Sequence, residues 1–182
     1  MLYLASSSSS RAKLLEKAHI NFKQIELDYD ESAVDINLEP QIYVQRVLLE
    51  KERQFYDKFN TFEEKVLFVD SIVSIQNKVF TKAKTKEEAL YMLELQSGRS
   101  VCILSAMILS TKNFKLISLS KADLEFKPFD TEKMKAYIQN GNFKGKAGAV
   151  ECEGFHKEYI KELKGDLSIA LGLDIPTLKA YL

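Results

Sequence analysis

The chain has 182 residues, enough to bury one sizeable core or two closely joined lobes. Its 26 Lys and Arg balance 26 Asp and Glu. That balance argues against a general nucleic-acid binder, so any hold on a phosphate must come from local placement of cations.

Leu2 to Ala5 reads as a first strand, followed by five serines and a helix that begins near Ser9 or Ser10 with Leu14, Leu15 and Ala18 as its apolar stripe. This opening has neither a basic leader nor a long apolar segment, so a signal peptide is not expected, and no run approaches the ~18 apolar residues of a membrane span. Phe22 to Leu27 alternates like a strand. Pro40 opens a long helix whose stripe is Val44, Val47, Leu48 and Phe55. Val66 to Val69 is a compact apolar strand ending at Asp70, and Ile72–Ile75 with Lys78–Phe80 form the arms of a tight turn. Thr85 and Glu88 fit a capping box for a helix that stops at Gly98. Ser100–Leu109 and Phe114–Phe126 read as strands joined at Thr111-Lys112-Asn113. Asp130 or Thr131 caps a short helix through Met134, Tyr137 and Ile138 that ends at Asn140-Gly141, and a final helix begins near Pro176. This alternation of short apolar runs with amphipathic segments predicts an α/β protein. Cys102 and Cys152 show no metal or redox spacing. Cys102 reads as core filler, and a reducing cytoplasm is the natural setting.

Six segments are candidates for chemistry, each with a plainer reading beside it. Ser6 to Ser10 with Arg11 is either a serine-rich helix cap or an anion site, where helix N–H groups, hydroxyls and a guanidinium meet phosphate. Lys51 continues the apolar stripe of the long helix, so it either snorkels to the surface or points into a cleft. Asp70 either caps a turn or holds a metal or a water beyond a strand end. Asp30-Glu31 is either a solvated loop or the second acid that a hard divalent cation needs. Lys82, with Lys84 and Lys86, is a basic turn or a phosphate contact. Lys144-Gly145-Lys146-Ala147-Gly148-Ala149 is a loop whose glycines permit close backbone approach and whose lysines can meet phosphate. His19 and His156 have no assignable partners and read as structural.

Taken in order, these segments resemble the Maf family of nucleotide pyrophosphatases over nearly the whole chain. Leu4-Ala5-Ser6-Ser7-Ser8-Ser9-Ser10-Arg11 is similar to the family's L-A-S-x-S-P-R-R opening. Asp30-Glu31 is similar to its acidic pair and Asp70-Ser71-Ile72-Val73 to its D-[TS]-x-V segment. Tyr43-Val44-Gln45-Arg46 followed by Lys51 matches its helix with a retained lysine. Lys82, Ser97-Gly98-Arg99, Lys146-Ala147-Gly148-Ala149 and Gly172-Leu173 fall on its later motifs. The resemblance implies a Maf/ITPase-like α/β fold, a twisted mixed sheet in two lobes around a central cleft, with residues 1–182 as a single domain. It implies hydrolysis of a nucleoside triphosphate between its α and β phosphates, with magnesium or manganese as cofactor. Asp70 maps to the catalytic position and Glu31 with Asp70 to the metal. Ser6, Ser8, Arg11, Lys51, Lys82 and Lys146 map to the substrate.

Specificity falls to Ser10, Ser71 and Glu153. Glutamate at 153 resembles the branch acting on 7-methylguanosine triphosphate, since a carboxylate accepts from the N–H groups of a guanine edge. The G-K-P triplet reads Thr81-Lys82-Ala83, and Ser9 and Ser10 stand where the family has proline and its first arginine. The two serines motivate an alternative, a catalytically weak nucleotide-binding regulator of cell division. The resemblance further implies a homodimer, while the zero net charge and the lack of a long apolar run argue against nucleic acid or membrane as partner.

Overall fold

The computed structural model describes residues 1–182. In chain order the elements are β1 (Leu2–Ala5), α1 (Ser9–Lys17), β2 (Phe22–Ile25), α2 (Pro40–Lys58), β3 (Lys65–Ile75), β4 (Lys78–Phe80) and α3 (Lys86–Gln96). There follow β5 (Ser100–Ser110), β6 (Lys115–Phe126), α4 (Thr131–Gln139), a 3-10 turn (Phe155–Tyr159), β7 (Ile160–Lys164), α5 (Leu167–Ala170) and α6 (Ile175–Ala180). The strands make one seven-stranded mixed sheet in the order β2-β1-β3-β5-β6-β7, with β4 pairing β3. β1 is parallel to β2 and β3, and the remaining pairs are antiparallel.

Sequence locally dictates most of these boundaries. Ser8, Thr85, Asp130 and Asp174 each accept a backbone N–H of the first turn they precede, as small polar N-caps do. Pro40 and Pro176 stand in first helical turns, where a missing N–H costs nothing. The β3–β4 hairpin turns at Gln76-Asn77, both in left-handed backbone, the conformation that closes a two-residue hairpin.

The strand read as ending at Asp70 runs on to Ile75, so Asp70 sits mid-strand. β3 is paired with β5 along Val66–Ser74, but its opposite edge is shared. β1 covers it only from Lys65 to Leu67, and β4 only from Val73 to Ile75. Residues 68–72 therefore carry an open edge in the middle of the sheet. The place still lies beyond the carboxyl end of a parallel strand, but that strand is β1.

Period-2 alternation sends β3 side chains to opposite faces. Val66, Phe68 and Ile72 join a core under α2 with Val44, Val47, Leu48 and Phe55. Leu67 and Val69 join a core under α1 and α6 with Leu14, Leu15 and Leu178. The far ends of β3, β5 and β6 pack with α3 and α4 in a third core around Leu93, Phe129 and Tyr137. Cys102, read as core filler, is half-buried and packs at the margin of the core under α2, on the same face of β5 as Leu104 and Ala106. No helix is long and apolar enough to cross a membrane.

Candidate active site

Asp70 shares the α2 face of β3 with Phe68 and Ile72, and Lys51 stands on the helix stripe directly above that face. The lysine does not snorkel. Its Nζ lies 2.6 Å from Asp70 Oδ1 and 2.7 Å from Glu31 Oε1. Lys51 and Asp70 are each about one-tenth exposed at the side chain, and Glu31 closes the cluster from the loop after β2 at 40%. One ammonium thus holds two carboxylates together at the edge of an apolar interface. The Tyr29 ring lies 5.8 Å from the same Nζ. Asp30 stays outside the cluster, accepting the N–H of Ser32 in a local turn.

Ser71, the next residue, points to the opposite face and meets Arg11. The guanidinium is held by three neutral acceptors: Ser6 Oγ at 3.1 Å, Ser71 Oγ at 3.1 Å and the Gly172 carbonyl at 3.1 Å. Ser71 Oγ also donates to Gly172 O at 3.2 Å and lies 3.1 Å from Ser105 Oγ. Three of the five guanidinium N–H groups are so engaged, leaving two for an incoming anion. Burial pulls Arg11 below its usual pKa, while the charges of Asp70 and Glu31 pull it back up. Gly172 has a φ of +103°, and a Cβ there would lie 3.4 Å from Ser71 Oγ. Its carbonyl reaches both partners because no side chain stands in the way.

The two half-sites meet across the open edge of β3 in a cleft of about 510 Å³. Ser6, Ser8, Ser10, Arg11, Lys51, Asp70, Ser71, Lys82, Lys146 and Glu153 all line it. Six cations (Arg11, Lys13, Lys51, Lys82, Lys144, Lys146) face three acids (Asp70, Glu151, Glu153). A chain of zero net charge has concentrated positive charge in one place, which raises the local concentration of an anionic ligand.

The sequence-predicted residues are not equally free. Lys82 forms no ion pair, and its backbone bridges Ala147, which ties it to the glycine loop. Lys146 is occupied: Nζ lies 3.2 Å from Glu151 and donates to the Asn142 carbonyl. Glu153, exposed at the rim, pairs with Lys17 at the end of α1 at 2.8 Å. Sequence reasoning missed Ser105 and Glu151, whose roles come from contacts between distant segments, and it placed Gly172 on a family motif without the contact its carbonyl makes to Arg11.

These features define an α/β protein with a cation-lined cleft at an interrupted sheet edge, built around a buried lysine and two carboxylates. The chain belongs to the Maf family, whose model, described as Maf-like protein, matches residues 1–182. A protein of Campylobacter jejuni subsp. jejuni named nucleoside triphosphate pyrophosphatase is 52% identical over 184 residues, covering 100% of each chain. Proteins of the same name from Nitratiruptor sp. and Helicobacter pylori are 36% and 34% identical, covering 98% and 100% of this chain and 96% and 94% of theirs. The solved Staphylococcus aureus Ham1 protein aligns over 98% of each chain with a TM-score of 0.47 and 9% identity, a faint likeness.

Proposed function

We propose that this chain is a nucleoside triphosphate pyrophosphatase, a hydrolase that releases pyrophosphate and leaves the nucleoside monophosphate. The observation that carries the reading is the convergence of Arg11, Lys51 and Lys82 on the cleft that holds Asp70. Membership of the Maf family and the name shared by its relatives support it.

The geometry suggests a division of labour. The free N–H groups of Arg11 and the unpaired Lys82 ammonium receive the phosphates, with the start of α1 adding backbone donors after Ser8. Asp70 orients a water for attack on the α phosphorus. The bond from that phosphorus to the bridging oxygen breaks, and pyrophosphate leaves toward the lysines. Such catalysis is placement plus electrostatics.

The family implies magnesium or manganese. No group of three or more His, Cys, Asp and Glu side chains gathers anywhere in the chain. Two carboxylate oxygens on one ammonium nevertheless suit a hard cation that takes its other ligands from phosphate and water, which is magnesium's habit. Glu31 and Asp70 would hold it, and it would neutralise charge on the phosphates.

Glu153 at the rim supports a purine or 7-methylguanosine-type base, its carboxylate exchanging Lys17 for the N–H groups of the base edge, with Ser10 and Ser71 lining the same cleft.

The test is pyrophosphate release from a panel of normal and modified triphosphates with magnesium or manganese. Asp70→Asn, which keeps the side chain's shape, is expected to lower kcat by about 10³-fold or more with unchanged circular dichroism. A variant that keeps most of its rate removes Asp70 from the chemistry. Wild-type protein that binds nucleotides yet releases pyrophosphate from none favours the regulator. Glu153→Gln is expected to move preference toward pyrimidines, and an unchanged profile removes that role.

A further inference from the structure

Behind the cleft wall formed by residues 144–153 lies a polar chain that no motif accounts for. Gln96, the last residue of α3, and His156, in the 3-10 turn, are both fully buried. Gln96 Nε2 donates to the Gly148 carbonyl at 2.6 Å. The backbone N–H of Glu151 donates to His156 Nδ1 at 3.0 Å, which leaves the proton on Nε2 to reach Gln96 Oε1, also at 3.0 Å. Tyr137 Oη donates to the Ala149 carbonyl at 2.9 Å. From the other side, Gly148 N–H donates to the Thr81 carbonyl at 2.8 Å, next to Lys82.

Residues 148, 149 and 151 are thus each anchored by one side chain of the third core. They lie between Lys146 and Glu153, two of the wall residues that line the cleft. The wall segment belongs to no helix or strand, so beyond its local turns and the single bridge of Ala147 to Lys82 its backbone has no ladder to fix it. Buried amide and carbonyl groups need partners wherever they are, and apolar packing alone would satisfy none of these three. It would also leave the wall free to slide along the core, because apolar contact is not directional.

We infer that Gln96, His156 and Tyr137 are positioning residues that set the cleft wall carrying Lys146 and Glu153 against the nucleotide. The inference rests on the pyrophosphatase reading for its ligand. None of the three touches the reacting atoms, so their loss acts on binding and base choice before it acts on the chemical step.

The experiment compares Gln96→Met, His156→Asn, His156→Leu and Tyr137→Phe in the full chain. It reads kcat and KM for the preferred triphosphate and one of a different base. It also reads the Kd of an α,β-methylene triphosphate analogue by calorimetry, and the folded fraction by urea titration. Gln96→Met is expected to raise KM and the analogue Kd by about tenfold with kcat of the folded protein within about twofold. It also narrows the ratio between the two bases. Asn at 156 keeps an acceptor for the Glu151 N–H, so His156→Asn is expected to lose less than His156→Leu. Tyr137→Phe removes one oxygen and no packing. It keeps the fold even if the core variants do not, and it is expected to shift Kd in the same direction by a smaller factor.

Unchanged KM, Kd and base ratio in folded variants, with activity lost only in proportion to unfolded protein, overturns the inference. If wild-type protein binds the analogue but turns nothing over, the enzymatic reading fails. The Kd comparison still decides the role of these three residues.

Discussion

Lys51 is the residue on which the two acids depend. Its ammonium occupies the space between Asp70 and Glu31 at 2.6 and 2.7 Å, and a divalent ion bound by both would compete for that space. Removing one partner of a buried ion pair leaves uncompensated charge and costs about 3–5 kcal/mol. Lys51→Met is therefore expected to melt earlier than wild type without metal and to bind manganese alone about tenfold more tightly. A ligand that binds only the folded state stabilises it, so manganese should raise the melting temperature of the variant far more than that of wild type. Thermal melts across a manganese titration check this, and equal shifts in both proteins would remove Lys51 as a competitor. Gly172 presents the companion case on the Arg11 side. Gly172→Ala forces a side chain into backbone with φ of +103° and against Ser71 Oγ. Such conformations cost about 1–3 kcal/mol. Lower stability in urea and a raised KM are expected together, because the carbonyl that holds Arg11 moves with the strain. A variant with normal KM would detach Gly172 from substrate binding.

At the level of elements, the site exists because β3 outlasts its parallel neighbour. β1 stops pairing at Leu67 and β4 begins at Val73, and Asp70 and Ser71 fall in that gap on opposite faces. The glycine loop then seats on the far end of the same strand. Gly148 has φ of +57°, and a Cβ there would lie 2.6 Å from Val73 Cβ. Gly148→Ala must push the loop from β3 or strain both. It is expected to destabilise the protein by about 1–3 kcal/mol in a urea titration. A variant as stable as wild type would refute the contact. Much of this was legible in the residues. The α2 stripe, its polar interruption at Lys51, the caps at Ser8, Thr85 and Asp130, and the hairpin after Ile75 are local patterns, and local patterns survive folding. What stayed hidden was pairing. The strand around Asp70 reads as ended because a carboxylate follows four apolar residues. Whether a strand continues past a charge depends on what its neighbours do, and β5 was the neighbour that kept β3 extended. Gln96 and His156 stayed hidden for the same reason, since a lone His sixty residues from its Gln has no spacing to betray it.

Across the whole molecule, three apolar cores share one sheet, and the buried polar groups that matter lie where those cores meet the cleft. His156 offers a global test of that arrangement. Four aromatic rings (Phe126, Phe129, Tyr137 and Phe155) surround its imidazole with centroids 5.0 to 6.0 Å away. Burial there pushes its pKa down to about 3. An unfolded chain protonates this histidine near its ordinary value of about 6.5, whereas the folded chain keeps it neutral. Between those two values the unfolded state binds the extra proton, so falling pH favours unfolding through this group. Its contribution is fully present above about pH 6.5 and is lost progressively toward pH 3. The largest slope one such proton supplies is about 1.4 kcal/mol per pH unit. Urea unfolding of wild type and His156→Asn at a series of pH values isolates it, because the carboxylates that also titrate there are common to both proteins. Wild type is expected to lose stability more steeply than the variant between about pH 6 and pH 4, and the two curves to run parallel above about pH 7. Parallel curves throughout would mean that the imidazole accepts its proton inside the folded protein. The Nδ1 that receives the Glu151 N–H would then be a donor in the acid range, and the cleft wall would lose one of its anchors without any change of sequence.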